Sequence, residues 1–185
     1  MVALPFPIDR LWTIDDLASM PDDGQRYELL QGELIVSPAP GGNHQVVLGE
    51  LYGRLYILLK ANPTGRAIFA PCDVRLSQYD LVQPDLIYYR NDQADQYSDN
   101  CFSGAPAFVV EVISPSTGRY DRGRKAVLYM NAGVEEYWII DPVKEHVLIH
   151  TSAEHNAIPK IVTSGTLTSI VLPAFSIDLA ELFAD

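Results

Sequence analysis

Asp85, Glu111 and Lys125 are residues of the types that a divalent-metal hydrolysis site uses. Glu111 stands inside Phe108-Val109-Val110-Glu111-Val112-Ile113, a run that is otherwise apolar and rich in β-branched residues. Such a run predicts a sheet strand covered on both faces. An ionised carboxylate within it is costly unless a charge meets it. Asp85 heads a second apolar strand in Gln83-Pro84-Asp85-Leu86-Ile87, and Lys125 follows Glu111 on a predicted helix. Mg²⁺ usually takes one or two carboxylates together with waters and substrate phosphate. The bound ion lowers the pKa of a water and polarises a phosphoryl oxygen, while a lysine nearby orients the water and stabilises charge. Each residue also has a plain structural reading. Glu111 would be half of a buried salt bridge with an arginine, Asp85 a strand-start residue after proline, and Lys125 an exposed helix lysine.

The elements that must position these residues can be read in order. Thr13 and the acids after it predict a short helix to about Met20. Residues 26–30 and 33–36 predict a hairpin around Gln31-Gly32, followed by a loop at 37–43. His44, Val47, Leu48, Leu51, Leu55, Leu58 and Leu59 recur at three- and four-residue steps, which predicts a helix over 44–60 with one apolar stripe. Strands follow at 66–70, 72–76 and 85–89, then a polar, acidic loop at 90–103. The strand at 108–113, a helix over 121–132 closed by Gly133, and a strand at 136–140 form a candidate βαβ unit. Residues 146–150, 159–163 and 169–172 predict an antiparallel meander, and 177–183 a terminal helix. The whole reads as one domain over 1–185, of α/β (α+β) class, with a mixed central sheet flanked by helices.

Composition narrows the function. The chain is 48% hydrophobic and 20% charged, as a globular domain is. No apolar run is long enough for a membrane span, and the first residues lack the pattern of a signal peptide. Cys72 and Cys101 have no metal-type spacing, so a cytoplasmic protein with free thiols is expected. A net charge of −11 argues against coating nucleic acid by bulk electrostatics. It leaves room for a local basic site, and Arg119, Arg122, Arg124 and Lys125 cluster within seven residues of a chain that has only 13 basic side chains. A solvated helix start explains that cluster equally well. His146 and His150 share a face of one predicted strand, and His155 follows it; without a third ligand they read as surface histidines.

The segments GQRYELLQGELIVSPAPGGNH, VQPDLIYY, FVVEVISPST and DRGRKAVLYMNAGVEEYWIIDP resemble a widespread bacterial family of restriction-endonuclease-like proteins, formerly a domain of unknown function, within the PD-(D/E)XK nuclease superfamily. The resemblance runs from about Asp15 to Phe183. It implies a restriction-endonuclease-like fold and a Mg²⁺- or Mn²⁺-dependent endonuclease that cuts DNA phosphodiesters, plausibly as a homodimer. Pro84-Asp85 matches the superfamily's first acidic element and Glu111 its second. The usual lysine would fall at position 113, which is isoleucine here; Lys125 matches a lysine displaced to the following helix. Glu33 matches a further acid near the site and would assist as a metal ligand beside Asp85 and Glu111, or else face solvent as a hairpin residue. His44 matches a histidine at the start of the long helix, either touching a phosphate, joining the ligand network or capping the helix. Tyr129, one turn beyond Lys125, reads first as a core tyrosine and otherwise as a residue packed beside that lysine. A catalytically inactive nucleic-acid- or partner-binding module on the same fold is the alternative.

Overall fold

The computed structural model describes residues 10–37, 41–99, 101–113, 121–154 and 158–184. Arg119, His155, the Ser-Pro-Ser-Thr turn and part of the 37–43 loop lie outside them.

The chain runs through helix α1 (Ile14–Leu17), strands β1 (Arg26–Leu30) and β2 (Glu33–Ser37), and the long helix α2 (Gly42–Ala61). Strands β3 (Gly65–Phe69), β4 (Asp73–Ser77), β5 (Asp80–Val82) and β6 (Leu86–Arg90) follow. A 3₁₀ turn at Asn91–Gln96 leads to β7 (Tyr97–Ser98), β8 (Cys101–Ser103) and β9 (Phe108–Val112). A π-helical turn at Asp121–Lys125 continues into α3 (Ala126–Ala132), and β10 (Glu136–Asp141) and β11 (His146–Thr151) come next. The chain ends with β12 (Lys160–Val162), the hairpin of β13 (Thr166–Thr168) and β14 (Ser176–Asp178), and α4 (Leu179–Leu182).

One six-stranded sheet has the order β12-β11-β10-β9-β6-β3. It is mixed: β9 runs parallel to β10 and antiparallel to β6. With α3 between them in sequence, β9 and β10 form the expected βαβ unit. Both faces of this sheet are buried, which explains why β9 and β10 read as nearly continuous apolar runs. Phe108, Val110 and Val112 meet the stripe of α2 in one core, together with Leu86, Tyr88, Trp138 and Ile140. Val109 and Ile113 point the other way, into a second core with Ile87, Tyr89, Tyr129 and Tyr137. Period-two alternation therefore assigns Glu111 to the second face.

The second face is covered by α3 and by another six-stranded sheet of order β2-β1-β5-β4-β8-β7. The expectation of one central sheet with an added meander needs this refinement. β5, β7 and β8 have three residues or fewer, too short to display a period of two in sequence. Two further expectations change at the end of the chain. Residues 169–172 form no strand, because Ser169 Oγ and the amides of Ile170 and Val171 turn around the buried carboxylate of Glu136. The terminal helix is shorter than predicted: β14 occupies 176–178, and Asp178 caps α4 by accepting from the Ala180 amide at 2.8 Å.

Candidate active site

Register brings the two predicted strand acids together. Leu86 pairs with Val110 and Ile87 with Val109, so one step further along the same register sets Asp85 opposite Glu111. Both then lie on the second-core face, and both are 2% exposed. The Val112 amide donates to Asp85 Oδ2 at 2.8 Å, locking the aspartate to the strand that carries Glu111.

Lys125 arrives from the last residue of the π-helical turn and is 3% exposed, so it is not the solvent-facing lysine of the structural alternative. Its Nζ lies 2.9 Å from Glu111 Oε1. One helical turn on, Tyr129 donates its hydroxyl to the same Glu111 oxygen at 3.1 Å. Glu111 does sit in a buried salt bridge, with Lys125.

A third acid completes the cluster, and sequence reasoning missed it. Glu28, on β1, is 3% exposed, and its Oε1 lies 2.9 Å from Lys125 Nζ. The Gln83 amide holds that oxygen at 2.8 Å. The available signal was alternation. Arg26, Glu28 and Leu30 share one face of β1, and Leu30 belongs to the second core, so Glu28 is a charge on a core-facing position. Arg26 extends from the same face, donating from Nη1 to Asp85 Oδ1 at 3.1 Å and to the Gln83 carbonyl at 3.2 Å.

Glu33 lies outside this cluster. It begins β2 with its side chain 56% exposed and pairs with Arg124. Glu33 is paired with Leu30 in the ladder, at the far end of β1 from Arg26. Glu33 thus meets Arg124, whereas Glu28 is the β1–β2 hairpin acid that meets Lys125. Arg124 is held by Glu33 and the Leu30 carbonyl, while Arg122 is held by Asp141, so both arginines serve ion pairs at the periphery.

His44 sits in the first turn of α2, 7% exposed, with Nε2 2.8 Å from Asp85 Oδ2. Its Nδ1 is buried and has no hydrogen-bond partner among the described residues. His146 and His150 lie on β11, outside this constellation. The Nε2 of His150 is likewise buried without a hydrogen-bond partner among the described residues, and its ring stacks on Tyr137 with centroids 5.9 Å apart.

The electrostatics follow from the packing. Burial opposes ionisation of Asp85, but the His44 ring, the Arg26 guanidinium and the Val112 amide outweigh it and hold the carboxyl below the usual carboxylate range. Burial also opposes the charge on Arg26, yet the charges of Asp85, Glu111 and Glu28 raise its pKa above the ordinary value. Three carboxylates and two cations thus share one buried space, each charge meeting its opposite.

Those acids fit a hard divalent cation in donor type, since they offer only carboxylate oxygens. Among the described residues no three His, Cys, Asp or Glu side chains form a ready-made metal cage. Mg²⁺ seldom uses one, completing its shell with water and phosphate.

The family described as "Uma2: Putative restriction endonuclease" matches residues 14–180. A crystal structure from Anabaena variabilis, described as a putative nuclease belonging to DUF820, superposes with a TM-score of 0.80. It is 17% identical and covers 93% of this chain and 97% of its own, a likeness that establishes the fold. Comparison with curated proteins found no match.

Proposed function

The chain belongs to the Uma2 family, and from that premise we propose that it is a Mg²⁺- or Mn²⁺-dependent endonuclease that hydrolyses DNA phosphodiester bonds. The observation that carries this reading is one buried cluster in which Glu28 and Glu111 both meet Lys125 and Asp85 lies opposite Glu111. In this reading Asp85 and Glu111 hold the ion. Glu28 takes the assisting position first sought at Glu33. The ion, when bound, supplies Lewis-acid polarisation of the phosphate and a water of lowered pKa.

The chain's own groups do the rest. Asp85 is kept ionised, and so ready to ligate, by Arg26, His44 and the Val112 amide. His44 fixes one Asp85 oxygen and thereby orients the other. Lys125, fixed between two carboxylates, presents its ammonium where an attacking water and the charge on phosphate are stabilised. Tyr129 holds the Glu111 oxygen in place. Apolar walls from Val109, Ile113 and Ile139 exclude bulk water and strengthen each of these interactions.

A homodimer acting on two strands accompanies this reading, because duplex cleavage needs two such sites. A cytoplasmic location fits the two free cysteines. Among the described residues no helix is long and apolar enough to cross a membrane.

A second reading is an inactive module that binds nucleic acid or a protein partner. The observation favouring it is that Arg26, His44 and Lys125 already engage the carboxylates, as they would in a purely structural ion network. Cleavage of plasmid DNA in Mg²⁺ or Mn²⁺ by wild type, Asp85→Asn and Lys125→Ala separates the two. Metal-dependent cutting lost in both folded variants supports the nuclease. Cutting that persists in both removes these residues from the mechanism.

A further inference from the structure

A groove of about 480 Å³ lies where α2 meets β3, away from the acids. Tyr52, Tyr56 and Tyr97 line it together with Lys60 and Arg66, and no acidic side chain does so among the described residues. On a chain of net charge −11 this is a local reversal of sign. The aromatic side is continuous: Tyr52 lies 5.9 Å from Tyr56 and 4.6 Å from Phe69, ring centre to ring centre. Tyr56 is 47% exposed and Phe69 49%, large apolar surfaces left to solvent. Lys60 hangs over the Tyr56 ring at 5.2 Å, and Arg66 is exposed on β3. β3 is itself the edge strand of the mixed sheet.

The groove is tied to the acidic cluster by the two elements that leave it. α2 carries His44 in its first turn, with Tyr56 twelve and Lys60 sixteen residues further on. At 1.5 Å per residue that is about 18–24 Å along the helix. A nucleic-acid strand rising 3.4 Å per nucleotide covers that distance in about 5–7 nucleotides. β3 pairs with β6, so Phe69 sits beside Leu86, next to Asp85, and Gly65 beside Arg90, at the far end.

We infer that this groove binds a single-stranded segment of DNA flanking the bond to be cut. The exposed ring of Tyr56, backed by the half-buried Tyr52 and Tyr97, is of the kind that stacks on bases, and base faces are available only where the strand is unpaired. Lys60 and Arg66 meet the phosphates between them. The inference rests on the nuclease reading above, and it makes the substrate class a duplex carrying a single-stranded tail or gap rather than a blunt duplex.

The test uses the full chain with Ca²⁺ in place of Mg²⁺ and fluorescein-labelled DNA of about 20 nucleotides, as single strand, blunt duplex and tailed duplex. Wild type is expected to bind the tailed duplex about tenfold more tightly than the blunt one, since each stacked base contributes of that order. Tyr56→Ala, and separately Lys60→Glu with Arg66→Glu, are expected to erase that preference. The charge variant should also lower the slope of log affinity against log salt by about 1–2. A tail carrying 5-iodouracil should crosslink to Tyr52, Tyr56 or Tyr97, a readout that needs no variant.

Equal affinity for blunt and tailed DNA in wild type, crosslinks confined to other regions, or groove variants that keep the preference would overturn the inference. So would groove variants that change the oligomeric state by light scattering while DNA binding is unaltered, for the groove would then join protein copies. Failure of the nuclease reading looks different. Tail preference lost in the groove variants, with no metal-dependent cleavage in wild type, leaves the groove standing and removes the activity.

Discussion

Glu28 and Glu33 lie five residues apart on neighbouring strands and carry the same charge, yet their surroundings differ completely. Glu28 is 3% exposed and bound to Lys125, whereas the Glu33 side chain is 56% exposed and bound to Arg124. Under the proposed function Glu28→Gln should reduce metal-dependent cleavage by about 10²-fold or more, the scale of losing one preorganised polar group. Glu33→Gln should stay within about threefold, as surface changes usually do. Initial cleavage rates in Mg²⁺, with circular dichroism to confirm the fold, check both. Lys125 is a structural test as well. Lys125→Met leaves Glu28 and Glu111 buried without their cation, and breaking such a network costs about 3–5 kcal/mol. Urea unfolding should show a fall of that size; a change under about 1 kcal/mol would mean that solvent reaches the cluster and screens it.

At the level of elements, the helix that carries Lys125 ends in a left-handed residue. Gly133 has φ of 99° and closes α3 through its amide, which donates to the Met130 carbonyl at 3.2 Å. An alanine there places a Cβ in a conformation that L residues avoid, at a cost of about 1–2 kcal/mol. Gly133→Ala should therefore lower the denaturation midpoint while leaving cleavage by the folded fraction unchanged, since the cap lies two turns from Lys125. A loss of rate per folded molecule would show instead that the α3 terminus sets the lysine's position. Most of these elements were legible in the chain. The stripe on α2, the apolar runs of β6, β9 and β10 and the glycine cap are local signals of ample length. β5, β7 and β8 were not legible, because two or three residues cannot display a period. Residues 169–172 misled because their apolar side chains suit a strand, while the carboxylate that bends them, Glu136, is over thirty positions away.

For the molecule as a whole, pH acts through the buried carboxyl of Asp85. The Asp85 carboxyl titrates lower in the folded state than in the unfolded chain, despite its burial. The unfolded state thus binds its proton first as pH falls, so the stabilisation is complete above about pH 4, the unfolded value, and is lost on descending through the folded pKa. In Arg26→Met, which removes one of the groups holding that pKa down, the acid unfolding midpoint should move to higher pH. An unchanged midpoint would place the controlling carboxylates elsewhere. DNA binding, if the proposed function holds, must act against a net charge of −11, so its affinity should fall steeply with salt only through the few local cations.

Features that depend on neighbours along the chain follow from the order of residues alone. Apolar periodicity set the strands and helices, a charge inside an apolar run marked Glu111, and the proline-led strand start marked Asp85. Lys125 was legible as a lysine on the helix after Glu111, and the resemblance matched it to the displaced lysine. Only the tertiary structure decided which of the remaining charges joins them. Strand register set Asp85 opposite Glu111, and the packing of one sheet on the other brought Glu28 and Arg26 in from more than fifty residues away while leaving Glu33 in solvent. The physical reason is that the cost of a buried charge is local and visible in a hydrophobic run, whereas the partner that offsets it can lie anywhere the fold brings within hydrogen-bonding distance.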